Sequence, residues 1–199
     1  MKPPKPIIGC LALQGCVERH RPHVEAAGAA FRAVKTPKQF AEVDGFILPG
    51  GESTTMLKLI ERFNLWDELA QQFAQKPVWG ICAGSILLAE KVLNPAQKSF
   101  GILPITVERN GYGRQLESCH TLINGYEVSL IRAPVIKETA KNVEILAQHQ
   151  GAPVWIRDGK NMATTFHPEL TFDFPSPMHK MFVEIVRTQS AQGPAKEAV

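Results

Sequence analysis

The 199-residue sequence has no run of about 18 apolar residues, so no membrane-spanning helix is expected. It also lacks a charge of one sign: 22 lysines and arginines stand against 19 aspartates and glutamates, a net charge of +3. That excess is too small and too scattered for a nucleic-acid surface. Cysteine is sparse. Cys10, Cys16, Cys82 and Cys119 have no metal-site spacing and read as reduced thiols, not as a disulfide framework. Met1 to Pro6 lead directly into a strand-like run with no apolar signal segment, which makes the cytoplasm the expected compartment. There is no internal repeat and no interdomain linker. What remains is an ordinary globular composition, 44% hydrophobic and 21% charged. One domain over 1–199 is expected, with flexible ends at 1–6 and 190–199.

The first third alternates strand and helix signals. Ile7 to Leu13 is a continuous apolar run, as in a strand buried on both faces. Cys16 to Ala27 reads as a helix stopped by Gly28, and Ala30 to Val34 as a second strand. Phe46 to Leu48 is a third strand. This rhythm predicts an α/β fold with a parallel sheet and right-handed crossovers. Pro49-Gly50-Gly51-Glu52-Ser53-Thr54-Thr55 follows the third strand, with Ser53 as the expected N-cap of a helix from Thr54 to Phe63. Two adjacent glycines alone are weak evidence. Their place at the carboxyl end of a strand, where open α/β sheets bind ligands, makes them informative. Beyond Lys91 the strands are short and consecutive, which predicts antiparallel additions to the sheet.

Pro77 to Ala89 carries the chemistry. It reads as a short strand, a tight turn and a helix from Ser85 to Lys91. Cys82 sits at the turn, flanked by Gly80 and Gly84. That is the pattern of a nucleophile elbow with sulfur in place of oxygen. The turn holds its side chain out and exposed, and the following helix aims its positive end at the sulfur. A buried core cysteine is the alternative; the paired glycines and the strand-to-helix switch weigh against it. Phe166-His167-Pro168-Glu169 supplies a histidine with a carboxylate two residues on, the same side of an extended segment. His167 can serve as base and Glu169 as its orienter. The other histidines lack such a neighbour and read as non-catalytic. Arg109, Arg114 and Arg132 end strands or lie in a glycine-bearing loop. They read equally as surface charge or as carboxylate holders.

Together, Gly80-Ile81-Cys82-Ala83-Gly84 and Phe166-His167-Pro168-Glu169 resemble the class I, triad-type glutamine amidotransferases. Leu11 to Gly15, Pro49 to Thr55, Val107 to Asn110, Gly113 to Gln115, Ile131 to Pro134 and Phe166 to Thr171 look more specifically like the glutaminase-subunit family of pyridoxal 5′-phosphate synthase. The resemblance implies a three-layer, flavodoxin-like α/β fold with helices flanking a mostly parallel sheet, and hydrolysis of L-glutamine to glutamate and ammonia, without metal or cofactor. It implies Cys82 as nucleophile, His167 as base and Glu169 as orienter. It implies an oxyanion hole from the backbone N–H groups of Gly51 and Ala83, and a glutamine site at Gly51, Glu52, Ser53, Arg109, Ile131 and Arg132. The implied partner is a (β/α)₈-barrel synthase subunit in a large hetero-oligomer, which receives the ammonia. The chain departs from that family at Ile81, usually threonine, and at Ser118-Cys119-His120, usually Ser-Phe-Glu. The departures leave the triad intact.

Two rivals remain at this stage. One is another cysteine-dependent γ-glutamyl hydrolase, against which the Pro-Gly-Gly-Glu-Ser loop and Arg109-Asn110 argue. The other is a non-catalytic regulatory module, against which the complete Cys-His-Glu set argues.

Overall fold

Ile7–Leu11 forms β1, covered on both faces: Ile8 and Cys10 pack on one side and Leu11 on the other. The computed structural model describes residues 5–109 and 119–192. From β1 the chain runs through α1 (Arg21–Ala26), β2 (Ala30–Val34), α2 (Pro37–Ala41) and β3 (Gly45–Leu48). It continues through α3 (Ser53–Arg62), α4 (Trp66–Gln75), β4 (Val78–Ile81) and α5 (Ala83–Leu88). Eight strands follow: β5 (Ala89–Leu93), β6 (Leu103–Glu108), β7 (Cys119–Ile123), β8 (Tyr126–Leu130), β9 (Val135–Thr139), β10 (Glu144–His149), β11 (Ala152–Asp158) and β12 (Asn161–Thr164). The closing helix is α6 (Pro177–Gln192).

Seven strands form the central sheet in the order β10-β11-β12-β4-β3-β1-β2. Neighbours from β12 to β2 are parallel; β10, β11 and β12 pair antiparallel. Phe40, Met56, Ile60, Phe73 and Leu87 cover one face of the sheet; Val24, Phe182 and Val186 cover the other. The architecture is therefore the expected three-layer α/β sandwich. The second half departs in one respect. Only β10 to β12 extend the central sheet, while β5-β6-β9 and the β7–β8 hairpin form separate small sheets.

Three local expectations are corrected. The helix expected over residues 16–27 is a 3₁₀ turn, Glu18–His20, followed by the shorter α1. Pro22 has no N–H to continue a helix from the preceding turn and is tolerated only at its start. The helix expected through Lys91 ends at Leu88. Ala89 turns extended, and its strand pairs with Leu103–Glu108, so sheet pairing overrides the helix propensity of Glu90 and Lys91. Ser53 is not an N-cap. Glu52 holds that position, and the Ser53 hydroxyl donates to Gln97 Oε1 at 3.0 Å. Beyond Arg109, the glycine-bearing loop with Arg114 lies outside the described residues, as does Ser118. Ile81 is a fully buried core residue.

The carboxyl ends of β1, β3, β4 and β12 all point to one side. The Gly50-Gly51 loop, Cys82 and His167 follow β3, β4 and β12, so the topology alone gathers groups the sequence singled out.

Candidate active site

Cys82 follows β4 and caps α5 with φ 48° and ψ −102°, a backbone that an L residue adopts only under constraint. Two features supply that constraint. A Cβ on Gly84 would lie 2.1 Å from the Leu48 carbonyl oxygen, so helix and sheet approach too closely for a side chain. The carbonyl of Thr164, at the end of β12, accepts the Cys82 N–H at 2.8 Å and the Ser85 hydroxyl at 2.7 Å. The elbow is thus tied to the strand that leads into His167. Cys82 is 6% exposed, not held out in solvent as expected. Its sulfur is reached through a cavity, where it lies 4.0 Å from the Ile131 carbonyl oxygen.

His167 is fixed from three sides. Its backbone N–H donates to Ser129 of β8 at 2.8 Å. Its ring fills the space beside Gly50, where a Cβ would lie 2.1 Å from Cε1. Its Nδ1 stands 2.7 Å from Glu169 Oε1. The segment is not extended as expected: Pro168–Leu170 is a 3₁₀ turn, with His167 extended just before it. The turn still brings the carboxylate onto the ring, two residues away. Burial opposes a charge on His167. Hydrogen bonds to Cys82 and Glu169, and their charges, outweigh it and push its pKa up to about 11. Glu169 is 1% exposed. Burial works against its charge too, yet the adjacent His20 and His167 hold its carboxyl below the ordinary range. Burial pushes the Cys10 and Cys16 thiols up, which disfavours their thiolates.

A cavity of about 340 Å³ lies between these elements, the size of a small-molecule site. Gly51, Glu52, Ser53, Cys82, Ala83, Arg109, Ile131, Arg132 and His167 line it; Glu169 stands behind His167. The ten site residues that the resemblance implied are therefore brought together; Arg114 lies outside the described residues. At the mouth, Arg132 Nη2 pairs with Glu52 Oε1 at 2.6 Å, and Arg109 Nη2 donates to Thr54 Oγ1 at 2.8 Å. The N–H of Ala83, first in its helix, has no intrahelical acceptor.

The sequence reading missed Gln14, whose Oε1 accepts the Glu52 N–H at 2.9 Å and steadies the Gly50-Gly51 loop. It also missed Cys16, whose N–H donates to the Gly50 carbonyl at 3.0 Å. Gln97, which holds Ser53, and the buried His20, His23 and His179 carried no motif that could have marked them.

A cysteine elbow and a His–Glu pair beside a parallel sheet, opening on one cavity, fit the glutamine amidotransferase class. Comparison with known proteins is specific. Residues 10–188 match the SNO glutamine amidotransferase family, and the chain belongs to that family. The pyridoxal 5′-phosphate synthase subunit PdxT of Thermotoga neapolitana is 44% identical over 188 residues, covering 90% of this chain and 99% of that one. The subunit of the same name from Koribacter versatilis is 46% identical over 186 residues, covering 90% and 95%. A crystal structure of a glutamine amidotransferase superposes with a TM-score of 0.82 at 36% identity, covering 90% and 98%. No helix among the described residues is long and apolar enough to cross a membrane.

Proposed function

We propose that this chain, acting as one amidotransferase domain, hydrolyses L-glutamine to L-glutamate and ammonia through a thioester on Cys82. It then delivers the ammonia to a pyridoxal 5′-phosphate synthase subunit. The observation that carries this reading is the shared cavity: the strained Cys82 elbow and the Glu169-locked His167 ring open on the same small space.

In this reading the Cys82 thiolate attacks the side-chain amide carbon of glutamine. The tetrahedral oxyanion accepts from the N–H groups of Gly51 and Ala83. The His167 imidazolium gives its proton to the departing nitrogen, and ammonia leaves. His167 then takes a proton from water, which attacks the thioester and releases glutamate and free thiol. Glu169 keeps the ring oriented and supports its positive charge. The guanidinium groups of Arg109 and Arg132 suit the substrate carboxylate, and the Glu52 carboxylate suits its ammonium. Ser53 and Ile131 complete the walls.

The names of the relatives support a synthase partner, here a (β/α)₈-barrel subunit in a large hetero-oligomer. The cytoplasm is the compartment that fits this role. The test is glutamate and ammonia release from the purified chain, titrated with the barrel subunit. Low turnover alone, rising to a plateau with partner, is expected. Equal turnover with and without partner would remove the dependence of turnover on the partner. No turnover in either case would leave a non-catalytic module, and hydrolysis of γ-glutamyl peptides in preference to glutamine would favour the other hydrolase.

A further inference from the structure

Three histidines that this reaction does not use lie behind the triad. His20, His23 and His179 are buried on the sheet face that carries Trp79, whose indole meets His20 and His179 edge-on. His20 Nδ1 lies 2.8 Å from His179 Nε2, and His179 Nδ1 lies 2.6 Å from Ser176 Oγ. The 3₁₀ turn that ends at His20 packs on the turn that holds Glu169. Glu169 Oε1 is taken by His167. Glu169 Oε2 and His20 Nε2 are both buried and have no hydrogen-bond partner among the described residues.

Counting donors places the protons. The His179 backbone N–H already donates to Ser176 Oγ at 3.2 Å. Ser176 is fully buried, and its hydroxyl proton goes to His179 Nδ1. His179 therefore carries its ring proton on Nε2 and donates it to His20 Nδ1. His20 then carries its own proton on Nε2. The opposite ordering would strand a buried hydroxyl proton at Ser176 and turn a lone pair towards a carboxylate. Burial keeps the rings neutral, pushing His20 down to about 4 and His179 well below the usual range. His20 thus acts on Glu169 as a neutral donor. His23 accepts the Ser176 N–H on Nδ1 at 3.0 Å, which leaves its Nε2–H near the backbone carbonyls of Glu169 and Thr171. The other titratable groups around Glu169 are His167, Cys10 and Cys16.

We propose that His20 is a positioning residue for Glu169: its Nε2–H holds Oε2 through one water, and so keeps Oε1 on His167. The Ser176–His179–His20 chain fixes the tautomer that makes this donor. The proposal rests on the triad reading above.

Nitrogen-15 NMR of the histidine-labelled full chain reads the tautomer without any substitution. His20 protonated on Nε2 is expected; His20 protonated on Nδ1 overturns the proposal. The kinetic arm uses His20→Phe and His20→Gln in the presence of the synthase subunit, with Cys82→Ala as control. Phenylalanine keeps the ring and removes the donor, whereas the glutamine amide N–H reaches the place of Nε2. For His20→Phe, kcat falls about tenfold or more at unchanged KM. The acid limb of kcat/KM moves up by about one pH unit, because a carboxylate that loses a donor holds its proton more tightly. His20→Gln restores both. An unmoved limb in His20→Phe, or no recovery in His20→Gln, overturns the positioning role. If His20→Phe does not fold, the tautomer decides. Turnover that survives Cys82→Ala instead overturns the glutaminase reading itself.

Discussion

The backbone N–H of Cys82 donates to the carbonyl of Thr164 at 2.8 Å, three residues before His167. This one bond joins the carboxyl ends of two adjacent parallel strands, one leading to the sulfur and the other to the base. The Ser85 hydroxyl shares the same carbonyl. The relative placement of nucleophile and base is therefore set by sheet register, with no flexible loop between them.

The strain at Cys82 has a measurable consequence. Glycine takes a φ near +50° without the steric cost that an L side chain meets. Both Cys82→Ala and Cys82→Gly should abolish turnover. Cys82→Gly should nevertheless be the more stable of the two, by about 1 kcal/mol in urea unfolding, the reverse of the usual glycine penalty. Equal stabilities, or a less stable glycine variant, would mean the elbow is unstrained.

Glu169→Gln keeps the shape of the side chain and removes its charge. Turnover should fall by about 10- to 10⁴-fold, the upper end being the known effect of the equivalent change in a serine protease triad. The pKa of His167 stands near 11 only because its partners outweigh burial. Without the carboxylate, the alkaline limb of the activity profile should move down. Wild-type turnover with an unmoved limb would dismiss Glu169 from the site.

The buried histidines make folding pH-dependent. A folded pKa pushed down to about 4 means that, below about 6.5, the unfolded chain binds a proton at His20 that the folded chain does not. Stability is therefore lost as pH falls through that window. From about pH 7.5 to about pH 5, His20 alone removes about 2 kcal/mol. The lowered His179 and His23 act in the same direction. His167, raised, works against them and returns about 1 kcal/mol over that range. Urea midpoints should fall between the two pH values, and the fall should shrink in His20→Phe. A midpoint that rises on acidification would contradict this account.

Gly50 and Gly51 should respond differently to alanine. At Gly50 the new Cβ would lie 2.1 Å from His167 Cε1, inside the base itself, so kcat should collapse. At Gly51 it would lie 2.4 Å from Gln14 Oε1, the end of a flexible side chain that can turn away. That movement breaks the bond to the Glu52 N–H, so the expected effect is mainly on KM. The Gly50 carbonyl also accepts from Cys16 N–H, so turning the Gly50-Gly51 peptide breaks a 3.0 Å hydrogen bond. A partner that turned this peptide would have to compensate for that loss. Steady-state kinetics of the two variants separates these outcomes.

Much of this was legible in the chain. The strand–turn–helix around Cys82 and the His167-Pro168-Glu169 step have local signatures, because tight turns demand glycine and a short spacer fixes the pair. The parallel half of the sheet was legible from its apolar runs. The ending of α5 was not, because Ala89 to Leu93 becomes a strand only through a neighbour that lies ten residues further on. The roles of Gln14 and Gln97 were hidden for the same reason: their partners lie 38 and 44 residues away. His20 and His179 stand 159 residues apart in sequence, and nothing local marks either as part of a proton network.

Cys82 as the glutamine-attacking nucleophile is tested most directly by covalent capture. A diazo-ketone analogue of glutamine, incubated with the full chain and its synthase partner, should alkylate one thiol per chain as turnover is lost. Peptide mass mapping should place that adduct on Cys82, with excess glutamine slowing its formation. An adduct mainly on Cys10, Cys16 or Cys119, or full inactivation with Cys82 unmodified, would contradict the assignment.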